Sequence, residues 1–234
     1  MWIPFKSVTA QRDRSTAEPG RNAYAIESAP GHPGLIALAL PWEGTDAHAE
    51  VMLRSRRIGP LIAVTRDGGE GRTSLTKAGR VRVDYRLDGS GVSTMRHGLV
   101  SMARLARAAG AVEIVAVGTR PLWHGRAGHA VGDEGEAFAR FEADLESFDL
   151  SPNRGSVFSA HQMGTARMGA DPRGHPCDPW GRVRRDGGSD RVVRGLYVAD
   201  SSLFPTGLGV NPMITIMVLA RRVCRTILDE GVGG

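Results

Sequence analysis

The sequence predicts a mixed α/β (α+β) protein. Three observations carry that expectation. Val81, Val83 and Tyr85 alternate with Arg82, Asp84 and Arg86, the period of a half-buried strand. Val92, Met95, Leu99, Met102 and Ala106 repeat at helical spacing, and so do Phe138, Phe141, Leu145 and Phe148. The last third of the chain runs from an apolar strand through a glycine-rich loop into a long apolar helix.

Along the chain, residues 1–26 are ragged, mixing Pro, Gly, Ser and charge without a period. LIALAL at 35–40 reads as a short buried strand ended by Pro41. AHAEVMLRSRR at 47–57 reads as a helix, and IGPLIAVT at 58–65 is an apolar run that leads into the turn-rich RDGGEGR. The helix that begins near Ser90 is stopped by Gly110, and AVEIVAV at 111–117 is a further strand. Asp133 is placed to cap the next helix. From about residue 151 the pattern is loop, strand (LYVAD, 196–200), glycine-rich loop and terminal helix. Asn211 fits the N-cap of that helix and Pro212 its first turn.

Composition bounds the function. The chain has 234 residues, 41% hydrophobic and 24% charged, enough for a folded core and against disorder as the main state. No apolar run reaches the roughly 18 residues of a transmembrane helix. MWIPFKSVTAQRDR lacks the apolar heart of a secretory signal, so a cytoplasmic protein is expected. Two cysteines, Cys177 and Cys224, exclude a disulfide framework and a cysteine-rich zinc site. Cys177 reads as an exposed thiol and Cys224 as packing within the last helix. The net charge of +5 comes from scattered arginines, with only Lys6 and Lys77 as lysines. Without a basic helix or an aromatic RNA-binding signature, nucleic acid is not an expected partner. His32, His48, His97, His124, His129 and His175 repeat at no ligand spacing, so no metal site is expected. Trp42 and Trp123 read as core, as do Met163, Met168, Met213 and Met217, although the last two also suit an apolar pocket wall.

Two stretches carry possible chemistry. His161 stands in a glycine-bracketed turn, HQMGTARMG. It suits either a hydrogen-bonded structural role or proton abstraction near neutral pH. The start of the terminal helix offers unpaired N–H groups and a partial positive charge, fit for an anionic group. A plain core helix is the other reading.

Together these stretches resemble the C-terminal end of the glucose–methanol–choline (GMC) family of FAD-dependent alcohol oxidoreductases. The matching residues are HQMGTARMG at 161–169, Asp178 with Gly181-Arg182-Val183, and GLYVADSSLFPTGLGVNPMITIMVLARR at 195–222. Within the family, the HQMG turn, the asparagine–proline pair and AIESAPGHPGLIALALPW at 25–42 look most like the long-chain alcohol oxidase branch. The resemblance implies a substrate-binding domain at 27–150, with a mainly antiparallel sheet backed by helices. It implies at 151–234 the C-terminal part of an FAD-binding Rossmann-like domain.

It also implies site roles. His161 would take the alcohol proton while a hydride passes to the flavin, and Asn211 would hold the substrate oxygen. Asp200 would meet the ribityl–pyrophosphate side of FAD, and Pro212 and Met213 would bring the helix start to the flavin ring. The family's G-x-G-x-x-G turn between a strand and a helix is not found in this sequence, so the N-terminal dinucleotide-binding part is expected to be absent. The expected function is FAD-dependent oxidation of the CH–OH group of a small-molecule alcohol by a chain that is a C-terminal half or fragment, with an N-terminal FAD-binding half or subunit as a candidate partner. The alternative is a non-catalytic remnant or a separately encoded subunit that needs an N-terminal FAD-binding half. A serine hydrolase is disfavoured because no G-x-S-x-G elbow is present.

Overall fold

The computed structural model describes residues 24–40, 43–66, 68–69, 71–126, 133–186 and 188–231. The ragged start up to residue 23, Trp42 and His129 lie outside them. The described chain is mixed α and β, with four two-stranded sheets, all antiparallel. It divides into two compact units. One holds the described residues before 68 together with Asp88–Phe158, and the other holds Gly68–Leu87 together with the residues from Ser159.

In the first unit, β1 (Tyr24–Ser28) pairs with β2 (Leu61–Thr65) with Ile26 opposite Ala63. Between them lie α1 (Pro33–Ala39) and α2 (Thr45–Leu53). The predicted strand at 35–40 is therefore a helix. Leu and Ala are good helix formers, Pro33 suits a first turn, and the His32 side chain accepts the Gly34 N–H. Leu40 turns extended before Pro41, as a residue preceding proline must. Only Ile36 of that run is buried.

The long helix of this unit runs from Gly89 to Ala108 and the second amphipathic one from Glu134 to Glu146, both where the periodicity put them. Each starts on an aspartate cap: Asp88 accepts from Gly91 N at 2.7 Å and Asp133 from Gly135 N at 2.5 Å. The first of the two lies against β1–β2 at Gly98, where an added Cβ would sit 3.0 Å from that of Ala63. Tyr24 OH lies 2.8 Å from His97 Nδ1 and 2.7 Å from Ser101 Oγ across the same junction. A short antiparallel pair, Ile114–Ala116 with Leu122–His124, closes the core. Val100, Ala103, Ala116, Phe138, Phe141 and Leu145 form that core, with Phe148 packed against it. The predicted strand at 111–117 is thus shorter than expected.

In the second unit, β3 (Gly71–Leu75) and β4 (Val81–Tyr85) form a hairpin. The alternation at 81–86 marks a strand correctly, but its apolar face is open rather than half-buried, with Val81 70% exposed. In chain order, α3 and β5–β6 with α4 are the elements just described at 89–108, 114–124 and 134–146. They are followed by β7 (Arg182–Arg184), β8 (Val192–Tyr197) and α5 (Met213–Asp229). β8 starts four residues before the predicted strand, and Leu196 is exposed rather than buried. The core here is Cys177, Leu203 and Val223, ringed by Ala166, Met168, Val183, Tyr197, Val198, Leu219 and Ile227. Gly181 has φ +82°, and a Cβ there would meet Val223 at 2.6 Å, so glycine is required for the β7 turn to reach α5. No helix among the described residues is long and apolar enough to cross a membrane.

Candidate functional site

The His161 turn is held by backbone pairing. Gly164 N donates to Ser201 O at 3.2 Å, Ala166 N to Ser202 O at 3.0 Å and Met168 N to Leu203 O at 3.0 Å. Ser201 Oγ adds a bond to the Gln162 carbonyl at 2.8 Å. Alternate residues of one segment thus stitch to consecutive residues of the other. Gly164 takes φ +82° to make the bend before the first rung. The imidazole of His161 is half-buried and enters no hydrogen bond or ion pair among the described residues. It is not the hydrogen-bonded structural histidine that one reading of the sequence allowed.

Asp200 caps the turn on the other side of the ladder. Its Oδ1 accepts from Ser202 N at 2.8 Å and from the Ser202 hydroxyl. A carboxylate has about four lone-pair sites, so this exposed side chain keeps acceptor capacity. Leu203 and Phe204 behind it are buried.

The helix start differs from expectation by one residue. Pro212, not Asn211, is the N-cap of α5: its φ and ψ are −88° and −3°, and its carbonyl accepts from Ile216 N at 2.8 Å. No side chain caps the first turn, so its leading N–H groups are left for another acceptor. Pro212 is buried, while Asn211 and Met213 are exposed. Met213, Ile214, Met217 and Val218 form an open apolar face on α5. The reading of Met213 and Met217 as core is therefore corrected. His161 and Asn211 stand on two segments fixed to the same core, one through Leu203 and the other through Val223.

The cysteine expectations are reversed. Cys177 is 1% exposed, in the core, and Cys224 is exposed. Burial pushes the Cys177 thiol up, and the neighbouring Asp178 charge adds to the shift. Around it lies a polar framework, buried at Asp178 and open at Glu230, whose geometry the sequence did not reveal. Asp178 accepts from Trp180 N at 2.9 Å, Arg182 N at 3.0 Å and Arg182 Nε at 2.6 Å. Arg182 Nη1 also reaches Glu230 at 2.9 Å, and Tyr197 OH donates to the same carboxyl group, tying β7 and β8 to the end of α5. The Asp178 bond raises the Arg182 pKa above its ordinary value, and the Glu230 bond does the same for Tyr197. The only sequence signal was the spacing of Asp178 and Gly181-Arg182-Val183. Among the described residues no cluster suits a metal ion.

Residues 70–220 match the C-terminal family model described as GMC oxidoreductase, a stretch that holds His161, Asp200, Asn211, Pro212 and Met213. The chain belongs to the GMC oxidoreductase family. Over 201 residues it is 34% identical to the long-chain-alcohol oxidase FAO4A of Arabidopsis thaliana, covering 85% of this chain and 25% of that protein. Over 204 residues it is 32% identical to the plant's long-chain-alcohol oxidase FAO1, covering 84% and 24%. Choline oxidase of Arthrobacter globiformis matches a shorter stretch, 39% identical over 74 residues, 31% of this chain and 12% of that protein. The chain spans about a quarter of the length of the long-chain-alcohol oxidases that it matches.

Proposed function

We propose that this GMC-family chain supplies the reacting residues of an FAD-dependent alcohol oxidoreductase and works with an N-terminal nucleotide-binding half. The observation that carries the reading is the ladder that fixes the His161 turn to residues 201–203, just ahead of the uncapped start of α5.

The residues fit the ring end of a flavin. The first turn of α5 offers N–H groups without a side-chain cap, and a helix start favours negative charge. Asp200 keeps acceptor capacity for the hydroxyls of a ribityl chain. The pyrophosphate is different: it calls for the glycine-rich strand–turn–helix that this sequence lacks, and so for the partner half. The open apolar faces of the β3–β4 hairpin and of α5 support docking of that half.

When bound, FAD would supply the acceptor for a hydride from the carbinol carbon. The work of this chain is proton handling and orientation. His161, with an unengaged imidazole, takes the hydroxyl proton at a ring nitrogen. Asn211 donates a hydrogen bond to the substrate oxygen and turns the reacting C–H. The α5 N–H groups would offer a bound flavin ring a fixed dipole field that favours negative charge and needs no reorganisation. The names of the plant relatives support a long-chain alcohol as substrate. Cytoplasmic residence belongs to the same reading.

The test is His161→Ala in the assembled protein. Flavin reduction by the alcohol should slow about 10²–10⁴-fold, the range for a general base, with FAD content unchanged. Reduction near the wild-type rate would give His161 another task.

A further inference from the structure

Arg184 and Arg185 look in the sequence like a pair of surface charges. Arg185 is exposed, but the Arg184 side chain is only 4% exposed. Its Nη1 donates to the carbonyls of Gly169 at 3.0 Å, His175 at 2.9 Å and Cys177 at 2.7 Å. Its Nη2 donates to Gly169 at 3.0 Å and Ala170 at 3.2 Å. The nearest carboxylate, Asp190 Oδ1, is 3.6 Å away and belongs to a side chain 84% exposed. A buried guanidinium with so weak a counter-ion is held chiefly by those carbonyl dipoles.

All four carbonyls belong to one loop, 169–177. The loop closes on itself where Gly169 N donates to Cys177 O at 3.1 Å and Cys177 N to Arg167 O at 3.2 Å. The Arg184 backbone joins it through a bond to Pro176 O at 2.8 Å. Immediately upstream stand the three rungs, Met168–Leu203, Ala166–Ser202 and Gly164–Ser201, that carry the His161 turn.

We propose that Arg184 is a positioning residue: its guanidinium locks the 169–177 loop, and the locked loop holds the 164–168 ladder that aims His161. The catalytic consequence rests on His161 being the reacting base, whereas the positioning itself can be read without catalysis. Lysine cannot replace it, because a single ammonium does not span carbonyls that a planar fork reaches on two sides.

Amide hydrogen exchange in Arg184→Lys tests this. The amides of Gly164, Ala166, Met168, Gly169 and Cys177 should exchange about ten-fold faster or more, while those around Val223 in α5 keep their protection. Unchanged protection of the ladder overturns the proposal. So does a uniform loss that includes α5, which would make Arg184 a general stabiliser. If Arg184→Lys does not fold, nuclear magnetic resonance of the wild-type chain decides: a caged guanidinium gives separate, slowly exchanging Nη–H signals, and averaged signals overturn the cage. In the assembled protein, a loosened ladder with undiminished flavin reduction would sustain the positioning while removing His161 from the reaction.

Discussion

The two units solve the problem of apolar surface in different ways. The first closes its own core: α3, α4 and β5 bring Val100, Ala103, Ala116, Phe138, Phe141 and Leu145 together. The second, which carries every candidate site residue, centres on three buried residues, Cys177, Leu203 and Val223. It leaves Met213, Ile214, Met217 and Val218 of α5 and Leu75, Val81 and Val83 of the hairpin in the open. A two-stranded hairpin is only marginally stable by itself. What the site unit lacks in apolar closure it makes up with polar locks, around Arg184 and between Asp178, Arg182 and Glu230. The first unit also exposes Leu38, Leu53 and Val112, so the contrast lies in the size of the closed core, and the open faces of the second unit are where the proposed partner half would dock.

Breaking the closed core should have the largest effect. Phe141→Ala removes a ring packed at 6.2 Å from Phe138 and 5.5 Å from His124, and should cost about 3–5 kcal/mol in thermal or urea unfolding. A loss under about 1 kcal/mol, far below that range, would mean that the first core is no tighter than the second.

The site side of the contrast is sharpened by Asn211→Asp. Asn211 is exposed and is not the helix cap, so the fold should survive the change. Flavin reduction in the assembled protein should slow by about 10²–10³-fold, because a donor is lost where negative charge develops. Unchanged kinetics would move Asn211 away from the flavin.

The cysteines probe closure within the second unit itself. In the native chain a thiol reagent should label Cys224 at once and Cys177 only after unfolding. The raised Cys177 pKa stabilises the fold fully below the unfolded thiol's value, about 8.5, and that share is lost as pH rises through the folded value. The unfolding midpoint of the wild type should therefore fall at alkaline pH, and a Cys177→Ala variant should lack that part of the fall. The smallest effect belongs to the open face. Met217→Ser should leave the isolated chain's stability within about 0.5 kcal/mol and weaken only its union with the partner half.

Much of the first unit was legible in the sequence. α3 and α4 declared themselves by period, and α4 also by its Asp133 cap, both local signals, whereas the Asp88 cap of α3 emerged only from the structure. The run at 35–40 misled because six apolar residues are too few to separate strand from helix by period. Pro33 and His32 just upstream held the deciding information. Of the site, the segments were legible and their fastening was not. The Arg184 cage joins residues 7 to 15 positions apart and the ladder from Gly164 to Met168 joins residues 35 to 37 apart, and no local pattern encodes such pairs. Cys177 and Cys224 were exchanged for the same reason: Leu203 and Val223, which share the Cys177 core, are distant in the chain, and the sequence of α5 does not reveal which of its faces is covered. Asn211 looked like a cap by type, yet Pro212 at φ −88° already lies in the helical region and takes the first bond.

The central claim is that a partner half completes this unit, and FAD titration by fluorescence quenching tests it most directly. The isolated chain should bind weakly, because the α5 start and Asp200 are few contacts against the cost of ordering a long cofactor. Adding an N-terminal half that bears the G-x-G-x-x-G turn should give tight, stoichiometric quenching and alcohol-dependent reduction. Tight, stoichiometric binding by the isolated chain would contradict the claim and place the phosphate site within these 234 residues.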